Sequence, residues 1–492
     1  MAFAAEAYSS NYVKHYFDCH AWVEESLPYD ADQILYDIIK FVMPSSRLSE
    51  IMEESSEMKK IILHEYLMTK RYLIVLDNVW RISISTKQSY QLWIAEGFIP
   101  NNNEATAERY LEQLINGGFV DAGKRGVRGR INTCSIPGHC SPALLTVAFE
   151  GEFFISPIMD QEVKLWENVK RFTVHGNLND FEFLDHFDSF LHSLLHLTLG
   201  SHYLDSNYCE KIYKMFKFLR VLDLGSLVLI RYPSEIEYVF LLRYLNLNIP
   251  SLKSLPSSLL NSLLNLYTLD MPFSYIDHTA DEFWKMSKLR YLNFGSITLS
   301  AHPGKYCGSL ENLDFISALH PCCCPEDILG RLPNLRNIQI WGDLIYYQSL
   351  LSKILYRLSC LESLKLAKES KIPRRSNIIL AKYQFPPSLT HLSFLNVELM
   401  DDPMPALEKL AVLHLKSMLW LQEWTMGIRA MPKLECSILN PCAHLKMIPE
   451  QLWCLKSLNK LELWWPELEL RQQLREFEDK EQYGIQLYPY GI

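Results

Sequence analysis

The chain has 492 residues, of which 48% are hydrophobic and 21% are charged, and its formal net charge at pH 7 is −9. A chain of this length and composition is expected to fold into more than one packed domain. The acidic balance argues against general nucleic-acid binding, which needs a basic surface, and no apolar run reaches the length of about 18 residues that predicts a transmembrane helix.

The amino terminus and the cysteines bear on the cellular compartment. Met1 to Ser10 has neither the basic start nor the long apolar core of a secretory signal. The sequence contains no Asn-x-Ser/Thr glycosylation site, and its 12 cysteines show no paired spacing, which is typical of a reducing compartment. We therefore expect a cytoplasmic protein.

Residues 1–80 alternate strand and helix patterns, which predicts an α/β segment. Phe17 to Val23 is an apolar strand, and apolar positions at helical spacing predict helices from Asp30 to Val42 and from Glu53 to Met68. Arg71 to Trp80 follows as a continuous apolar strand, the kind that a parallel sheet buries on both faces.

Asp77 is the candidate cofactor-binding residue of this segment. An acid at the end of such a strand holds Mg²⁺ in phosphate-binding NTPases, so Asp77 would be a vestigial Walker B acid. The companion loop G-x-x-x-x-G-K-[ST] is absent, because Gly123-Lys124 and Gly304-Lys305 are followed by Arg and Tyr. The phosphates would then lack both their lysine and their cradle of backbone amides. A turn or capping role for Asp77 stays open, and we expect no bound cofactor.

Residues 81–150 predict a winged-helix-like segment. Tyr90 to Ile99 has a helical pattern that closes at Gly97, and a second helix begins after Asn103 and stops at Gly117-Gly118. A short basic hairpin follows. One basic loop in an acidic chain is more typical of a solvated wing than of one that contacts DNA.

Residues 151–463 carry one apolar pattern, in which two, then one, variable residues separate three apolar positions. Twelve copies, spaced 21 to 28 residues apart, begin at Leu194, Leu219, Leu242, Leu266, Leu289, Leu310, Leu335, Leu361, Leu389, Leu410, Leu434 and Leu458. This spacing is the signature of leucine-rich repeats. Each copy predicts a short strand that cannot bury its apolar face alone, so stacked copies form a solenoid with parallel strands on the concave face.

Two further features belong to the solenoid. Proline after an apolar residue at Tyr232-Pro233, Leu255-Pro256 and Ile448-Pro449 predicts a tight turn into a short helix on the opposite side. Residues 464–492 form a predicted C-terminal cap, in which a helix from Glu467 to Lys480 covers the last repeat. Its covering side chains would be Leu468, Leu470, Leu474 and Phe477.

Cys322-Cys323-Cys324 lies between two prolines and raises the question of a metal site. Three adjacent residues cannot easily direct three thiolates at one ion, and no His or Cys follows at zinc-finger spacing. A surface loop between repeats is the simpler interpretation.

Four segments resemble the nucleotide-binding adaptor of plant coiled-coil disease-resistance receptors. They are FDCHAWV at 17–23, KRYLIVLDNVW at 70–80, QLWIAEGFI at 91–99 and AERYLEQLI at 107–115. Their order, with leucine-rich repeats after them, is that of the family, and the last 32 residues are similar to the late-blight-resistance group. The resemblance implies a plant immune receptor with an NB-ARC domain that binds ADP or ATP. It also implies a protein ligand, either a pathogen effector or a guarded host protein, on the concave repeat face.

The chain departs from the family pattern at the residues that handle nucleotide. The coiled coil and phosphate loop before the first strand are missing, and only about eight residues separate Trp80 from Ser89. Asn78 replaces the second acid of the family's strand-end pair, and Pro137-Gly138 stands where the family has His-Asp. These differences predict a truncated member whose nucleotide switch is lost. A gene-model error, a pseudogene and a genuine short form all remain open.

The function predicted from these observations is recognition of a protein ligand in plant defence, without enzymatic activity. A nucleotide-driven signalling switch of the same family and a leucine-rich-repeat adaptor of a ubiquitin ligase are the alternatives. Intramolecular and peripheral membrane contacts stay open as further roles of the surface.

The candidate partner-binding residues are the variable residues beside the strand leucines of four successive repeats. Tyrosine and arginine are common interface anchors. The predicted residues are Arg220, Asp223, Arg243, Tyr244, Asn246, Tyr267, Asp270, Arg290, Tyr291 and Asn293. The arginines can equally contact acidic parts of the same chain.

Overall fold

The structure is a computed structural model. It describes residues 8, 16–24, 31–44, 47–48, 51, 56–68, 70–77, 83–126, 129–137, 169–174, 190–196, 202–204, 206–300, 308–368, 377–378, 383–399, 407–418, 421–427, 430–442, 444–476 and 483–488. The helices of these residues are α1 Ala31–Val42, α2 Ser56–Leu67, α3 Thr86–Glu96, α4 Glu104–Asn116, α5 Ser206–Met215, α6 Ser257–Ser262, α7 Glu326–Leu329, α8 Gln348–Ile354, α9 Glu450–Trp453 and α10 Leu468–Glu476.

The strands follow the repeat pattern over most of the chain. They are β1 Cys19–Glu24, β2 Tyr72–Asp77, β3 Ser83–Ser85, β4 Asp121–Ala122, β5 Thr133–Ser135, β6 Arg171–Val174, β7 Ser193–His196, β8 His202–Leu204, β9 Val221–Leu229, β10 Tyr244–Asn248, β11 Ser254–Leu255, β12 Thr268–Ile276, β13 His278–Thr279, β14 Tyr291–Ile297, β15 Phe315–Leu319, β16 Asn337–Trp341, β17 Ser363–Ala367, β18 Asn377–Ile378, β19 His391–Leu395, β20 Glu398–Leu399, β21 Val412–Lys416, β22 Cys436–Asn440, β23 Lys460–Trp464 and β24 Ile485–Tyr488.

The chain divides into two compact units. The first comprises Met1–Tyr90 with Glu104–Val147, and the second comprises Gln91–Asn103 with Ala148–Ile492. The division differs from the predicted domain boundaries, because Gln91–Asn103 belongs with the repeats. Within the described residues, no helix is both long and apolar enough to cross a bilayer.

The first unit begins with the predicted α/β segment. Strands β1 and β2 pair in parallel, with Cys19 opposite Tyr72 and Glu24 opposite Asp77. Helix α1 contributes Ile39 and Val42 to a small core under these strands. The predicted strands and helices are therefore confirmed, although β2 ends at Asp77. Asp30, the proposed helix cap, and the stretch from Asn78 to Trp80 lie outside the described residues.

The rest of the first unit has the outline of a winged helix. Strands β3, β5 and β4 form an antiparallel sheet in that order, and helix α4 precedes β4 in the chain. Helix α4 ends at Asn116, before Gly118 with its positive φ of 73°. In the hairpin, the backbone amide of Gly126 donates to the carbonyl of Arg130, at 2.7 Å.

The second unit is a parallel ladder, which confirms the predicted leucine-rich-repeat fold. Fifteen of its described strands form one sheet, in which β24, β23, β22, β21, β19, β17, β16, β15, β14, β12, β10, β9, β7 and β6 are successive neighbours and β8 pairs β9. The pairs β11–β13 and β18–β20 form two small separate sheets. The strand leucines point into one continuous core, and Leu222, Leu245, Leu269 and Leu292 are each at most 1% exposed. The predicted proline turns also form: Pro233, Pro256 and Pro449 each precede a short helical segment.

The ladder is longer at both ends than the repeat count predicts. Strand β6 pairs with β7 before the first predicted copy, with Phe172 opposite Leu194. Strand β24 pairs with β23 at the other end, with Ile485 opposite Leu461. The predicted terminal helix is confirmed over Leu468–Glu476, but it does not close the ladder, because β24 is the edge strand.

The terminal helix also buries fewer residues than predicted. Leu470 and Leu474 are 1% and 4% exposed, whereas Leu468 is 71% exposed. The expectation that Leu468 covers the last repeat is therefore wrong. Leu468 is the first residue of the helix, two residues before Leu470, and this spacing places it on the opposite, solvent-facing side. Phe477 and Lys480 lie outside the described residues.

Two of the twelve predicted copies are out of register by three residues. Leu194 pairs with Leu222, the fourth residue of its repeat, so the first copy begins at Leu191. Ile316 pairs with Leu292, so the copy assigned to Leu310 begins at Leu313. Both stretches contain apolar residues at two overlapping sets of positions, and only the pairing of neighbouring strands separates them.

The three adjacent cysteines do not form a surface loop. Cys323 and Cys324 are 1% and 0% exposed and belong to the core of the ladder, while Cys322 is half-buried. The surface-loop interpretation is wrong because the short 3₁₀ helix at Pro321–Cys323 turns two of the thiols inward.

Candidate functional site

The candidate site is the face of the ladder that points away from the core, here called the ladder face. In each repeat, the second, third and fifth residues of the pattern point to this face, so they form three columns across the strands. Asp223, Asn246, Asp270 and Asn293 are neighbours in the fifth-residue column. We call β6–β14 of this surface the amino-terminal face and β16–β23 the carboxyl-terminal face.

Polar side chains of the amino-terminal face bind each other. The Asn246 Nδ2 donates to Asp223 Oδ1 at 2.9 Å, and the Asn293 Nδ2 donates to Asp270 Oδ1 at 2.8 Å. Asp223 also accepts the Tyr244 hydroxyl at 3.4 Å and is only 4% exposed. The carboxylates of Asp223 and Asp270 are therefore hydrogen-bonded mainly to other side chains of the ladder.

Burial has a clear electrostatic effect at Asp270. It raises the pKa of this carboxyl to about 6, and the hydrogen bond from Asn293 opposes the rise in pKa. The folded chain thus carries Asp270 near the midpoint of its titration at mildly acidic pH.

The segment Gln91–Asn103 lies against the amino-terminal face. Arg243 Nη1 donates to the carbonyl of Ala95 at 3.3 Å, and Arg290 donates to the carbonyl of Asn102. Tyr244 is fully buried in a small cluster with Ala95. Two predicted partner-binding arginines are thus engaged within the chain, by backbone carbonyls and not by the acidic groups that the alternative named.

A buried ion pair fixes the same segment to the start of the ladder. Arg171 Nε lies 2.9 Å from Glu96 Oε2, and both side chains are at most 10% exposed. Ser193 donates a hydrogen bond to the other oxygen of Glu96. The guanidinium of Arg171 also lies over the ring of Phe98, 4.8 Å from its centre. A buried charge without its partner is costly, so these contacts hold Gln91–Asn103 firmly.

On the carboxyl-terminal face, two lysines and a histidine lie close together. Lys365 and His414 lie in the fifth-residue column, two strands apart, and Lys416 lies two residues beyond His414 on β21. Among the described residues, neither lysine has an ion-pair partner, and the Nε2 of His414 is buried without a hydrogen bond.

The pKa values of Lys365 and His414 are both lowered, by burial and by the neighbouring positive charges. Burial, and then the charge of Lys416, lower the pKa of Lys365. Burial, followed by Lys416 and Lys365, lowers the pKa of His414, while Glu462 opposes the change. Lys365 and Lys416 therefore carry the positive charge, and the lowered pKa of their neighbour His414 favours its neutral form at pH 7. These three residues are here called the cationic cluster.

The predicted partner residues thus fall into different environments. Arg220, Tyr267 and Tyr291 are half-buried. Arg243 lies over the ring of Tyr267 at 6.0 Å, and Tyr291 stacks on Phe315 with ring centres 4.3 Å apart. Their role in binding a partner stays a prediction.

Asp77 remains a candidate only by its position. Its backbone ends β2 opposite Glu24, while its side chain is outside the described part. No group of three or more His, Cys, Asp or Glu side chains suited to a metal ion occurs among the described residues.

Sequence reasoning missed the cationic cluster and the Glu96–Arg171 pair. Lys365 and His414 are fifth residues of the copies at Leu361 and Leu410, so the rule that selected Asp223 would have selected them in later repeats. The Glu96–Arg171 pair joins residues 75 positions apart, and no local pattern reveals it.

Comparison with known protein families identifies both regions of the chain. Residues 2–91 match the NB-ARC domain, and residues 205–406 match a leucine-rich repeat region. A disease resistance RPP8-like protein of Arabidopsis thaliana is 25% identical over 469 residues. The chain is thus similar to plant disease-resistance proteins, and it matches both an NB-ARC domain and a leucine-rich repeat region.

Other relatives in the family give the same assignment. The disease resistance protein RPP8 of Arabidopsis thaliana is 25% identical over 80% of this chain and 49% of its own length. A late blight resistance protein homolog, R1B-16, of Solanum demissum is 26% identical over 77% of this chain and 32% of its own length. The RPP8-like protein aligns over 81% of this chain and 49% of itself. The chain therefore spans about half the length of the Arabidopsis relatives that it matches.

Proposed function

We propose that the chain recognises a protein partner in plant defence, in the cytoplasm, through the carboxyl-terminal face of its repeats. The cationic cluster carries this proposal. Lys365, His414 and Lys416 are brought together on one face, Lys365 and His414 are partly desolvated, and among the described residues the two lysines have no ion-pair partner. An acidic segment of a partner would relieve their mutual repulsion, so charge complementarity favours a partner with such a segment.

The rest of the ladder supports the same assignment. The amino-terminal face is occupied by Gln91–Asn103, and its polar residues bind each other. A long parallel ladder offers an extended surface for binding, and the relatives are named as disease resistance proteins. The carboxyl-terminal face is then the part of the surface available to a partner.

A paired charge reversal tests the proposal. Lys365→Glu with Lys416→Glu, in a chain shown to stay folded, is expected to abolish both partner binding and localised cell death in plant tissue. Lys433→Glu with Lys456→Glu is the matched control, because both lysines are exposed and lie outside the strands. Equal loss in the control, or no loss in the first variant, would move the binding surface elsewhere.

Arg243→Glu with Arg290→Glu separates this surface from the amino-terminal face. These arginines hold Gln91–Asn103, so their reversal is expected to reduce stability and to leave partner affinity unchanged once folding is accounted for. Lost affinity in a stable double variant would instead support the partner-binding residues predicted around β9–β14.

Nucleotide handling is proposed to be inactive in these 492 residues. The ground is their sequence, which lacks the phosphate loop and has Pro137-Gly138 where the family has His-Asp. We expect calorimetry on the pure chain to show no ADP binding at micromolar concentration and no ATP hydrolysis. Micromolar binding that is lost in Asp77→Ala would contradict this and restore the nucleotide-switch alternative.

A further inference from the structure

The three adjacent cysteines lie where the chain leaves β15. The backbone turns through a 3₁₀ helix at Pro321–Cys323, and His320 caps its start by accepting the backbone amide of Cys322 at 3.3 Å. Cys323 and Cys324 are buried in the core, and Cys322 is half-buried at its edge. Only Cys322 of the three is therefore partly open to solvent.

Cys322 has close polar neighbours. Its Sγ lies 2.9 Å from the Nδ1 of His320 and 3.7 Å from the Sγ of Cys323. The Sγ of Cys323 in turn accepts the backbone amide of Leu299 at 3.0 Å, so Cys323 is held in place. His320 also lines a cavity of about 540 Å³. The side chain that contacts Cys322 therefore borders this cavity.

The neighbours of Cys322 stabilise a thiolate. The hydrogen bond from Cys323, followed by that of His320, lowers the pKa of Cys322 to about 5, against the opposing effect of burial. The hydrogen bond with Cys322 and burial raise the pKa of Cys323, and burial raises that of Cys324. One reactive sulfur thus stands beside two inert ones, and low-pKa, accessible cysteines are the ones that react with oxidants.

We propose that Cys322 is a redox-modification site that reacts with hydroperoxides, with His320 as the group that shares its proton. The Cys322 sulfur attacks one oxygen of the peroxide, the O–O bond breaks, and a sulfenic acid forms. The sulfur is oxidised by two electrons and the peroxide is reduced. The thiol proton moves from Cys322 to the Nδ1 of His320, which then no longer accepts the backbone amide of Cys322. The departing alkoxide or hydroxide takes this proton and leaves as an alcohol or as water.

The sulfenic acid is expected to persist rather than to become a disulfide. Cys323 is the nearest thiol, but disulfides usually need Cα atoms about 4.4–6.8 Å apart, and adjacent residues on a trans peptide are about 3.8 Å apart. Cys323 also stays a thiol, because the hydrogen bond with Cys322 and burial raise its pKa. Oxidation would then place a new polar group beside His320 at the rim of the cavity.

The experiment measures sulfenic acid formation on the full chain. Hydrogen peroxide is added in the presence of dimedone, and labelling is quantified by peptide mass spectrometry at pH 6 and pH 8. Cys360 and Cys454 are the internal controls, because both are free and exposed. The titratable groups that face Cys322 are His320, Cys323, Cys324 and Tyr347. The charged groups of the adjacent cavity are Lys253, Asp277, Asp343 and Lys368.

Cys322 is expected to label roughly tenfold faster than the controls at pH 6. An ordinary thiol is well under about 1% ionised there, while the weaker nucleophilicity of a low-pKa thiolate removes part of the advantage. The difference should shrink at pH 8. Labelling of Cys322 no faster than Cys360 and Cys454 at pH 6, in a chain that is folded by circular dichroism, would overturn the proposal.

A second variant tests the role of His320. His320→Asn keeps a side-chain acceptor for the backbone of Cys322 and is expected to slow the labelling of Cys322 at pH 6, with Cys360 and Cys454 unchanged. If this variant does not fold, the pH profile of Cys322 labelling in the native chain decides. If the labelling rate of Cys322 depends on pH in the same way as that of Cys360 and Cys454, the proposal is overturned.

Discussion

The two faces of the ladder share one backbone plan but satisfy their polar side chains differently. On the amino-terminal face, Asp223 and Asp270 accept hydrogen bonds from neighbouring asparagines, and Arg243 binds the segment Gln91–Asn103. On the carboxyl-terminal face, Lys365 and Lys416 repel each other. In both parts the repeat pattern determines the core. The variable residues decide whether the polar side chains of the face bind other residues of the chain or are open to binding by another molecule.

The first prediction tests whether both parts rest on the same core. Leu292→Ala under the amino-terminal face and Leu364→Ala under the carboxyl-terminal face should each lower the free energy of unfolding by about 2–5 kcal/mol. Both side chains are fully buried at equivalent positions. Chemical denaturation measures the losses, and Leu245→Ala should behave alike. A loss under about 1 kcal/mol on one side only would mean that the two parts do not share one packed ladder.

The second prediction concerns the contact that closes the amino-terminal face. Glu96→Gln leaves the buried Arg171 without its counter-charge, and removing one partner of a buried pair costs about 3–5 kcal/mol. We expect about 3 kcal/mol, because glutamine can still accept from Arg171 and Phe98 still covers the guanidinium. Denaturation monitored by tryptophan fluorescence measures the loss.

An exposed ion pair provides the matched control for Glu96. Glu326 pairs with Arg357, and these side chains are 64% and 59% exposed. Exposed pairs contribute about 0–1 kcal/mol, so Glu326→Gln should have almost no effect. Equal losses in Glu96→Gln and Glu326→Gln would show that the Glu96 pair is solvated and does not fix Gln91–Asn103.

The comparison also shows how much of the fold the sequence could predict. Leu245 and Leu292 were placed correctly because an apolar residue recurs at each strand position. Leu310 was not, because Leu310-x-x-Leu313-x-Phe315 satisfies the pattern as well as Leu313-x-x-Ile316-x-Ala318 does. In the structure, Phe315 leaves the core and stacks on Tyr291, a long-range contact that a single repeat does not encode.

The candidate site was less predictable than the core. Column positions follow from the repeats, so Asp223 and Lys365 were equally accessible to sequence reasoning. Which of them is paired depends on residues of other strands and, for Arg243 and Arg171, on residues far away in the chain. Strand β6 could have been found, since Val169, Phe172 and Val174 repeat the apolar spacing without leucine.

The third prediction uses the titration of Asp270. Burial raises the pKa of the Asp270 carboxyl in the folded chain to about 6, well above its usual value of 3.8. Between these values the folded chain holds a proton that the unfolded chain has lost, so stability falls as pH rises through this window. Asp270→Asn should remove this dependence of stability on pH. It should also raise the free energy of unfolding at pH 7 by about 1–2 kcal/mol relative to the native chain, which is less than the value of about 3 kcal/mol that corresponds to the whole pKa shift.

Denaturation at pH 4 and pH 7 measures this effect. The native chain and Asp270→Asn should be similar at pH 4, where the carboxyl is protonated in the folded state, and should diverge at pH 7. A native chain whose stability rises from pH 4 to pH 7 while Asp270→Asn stays level would contradict the raised pKa.

The smallest effect is expected in the cationic cluster. Burial is the main reason that the pKa of His414 is lowered, and the charges of Lys416 and Lys365 lower it further. Lys416→Gln removes one of these charges and is expected to raise the pKa of His414, which proton-detected NMR titration of the imidazole can follow. Glu462→Gln removes the opposing charge and should lower the pKa of His414.

The same titration affects stability. Because folded His414 holds its proton less tightly than unfolded His414, the stability of the native chain near pH 6 should rise with pH, and it should rise less in Lys416→Gln. An unchanged His414 titration in both variants would mean that the cluster is screened by solvent, and would remove the electrostatic reason for an acidic partner on the carboxyl-terminal face.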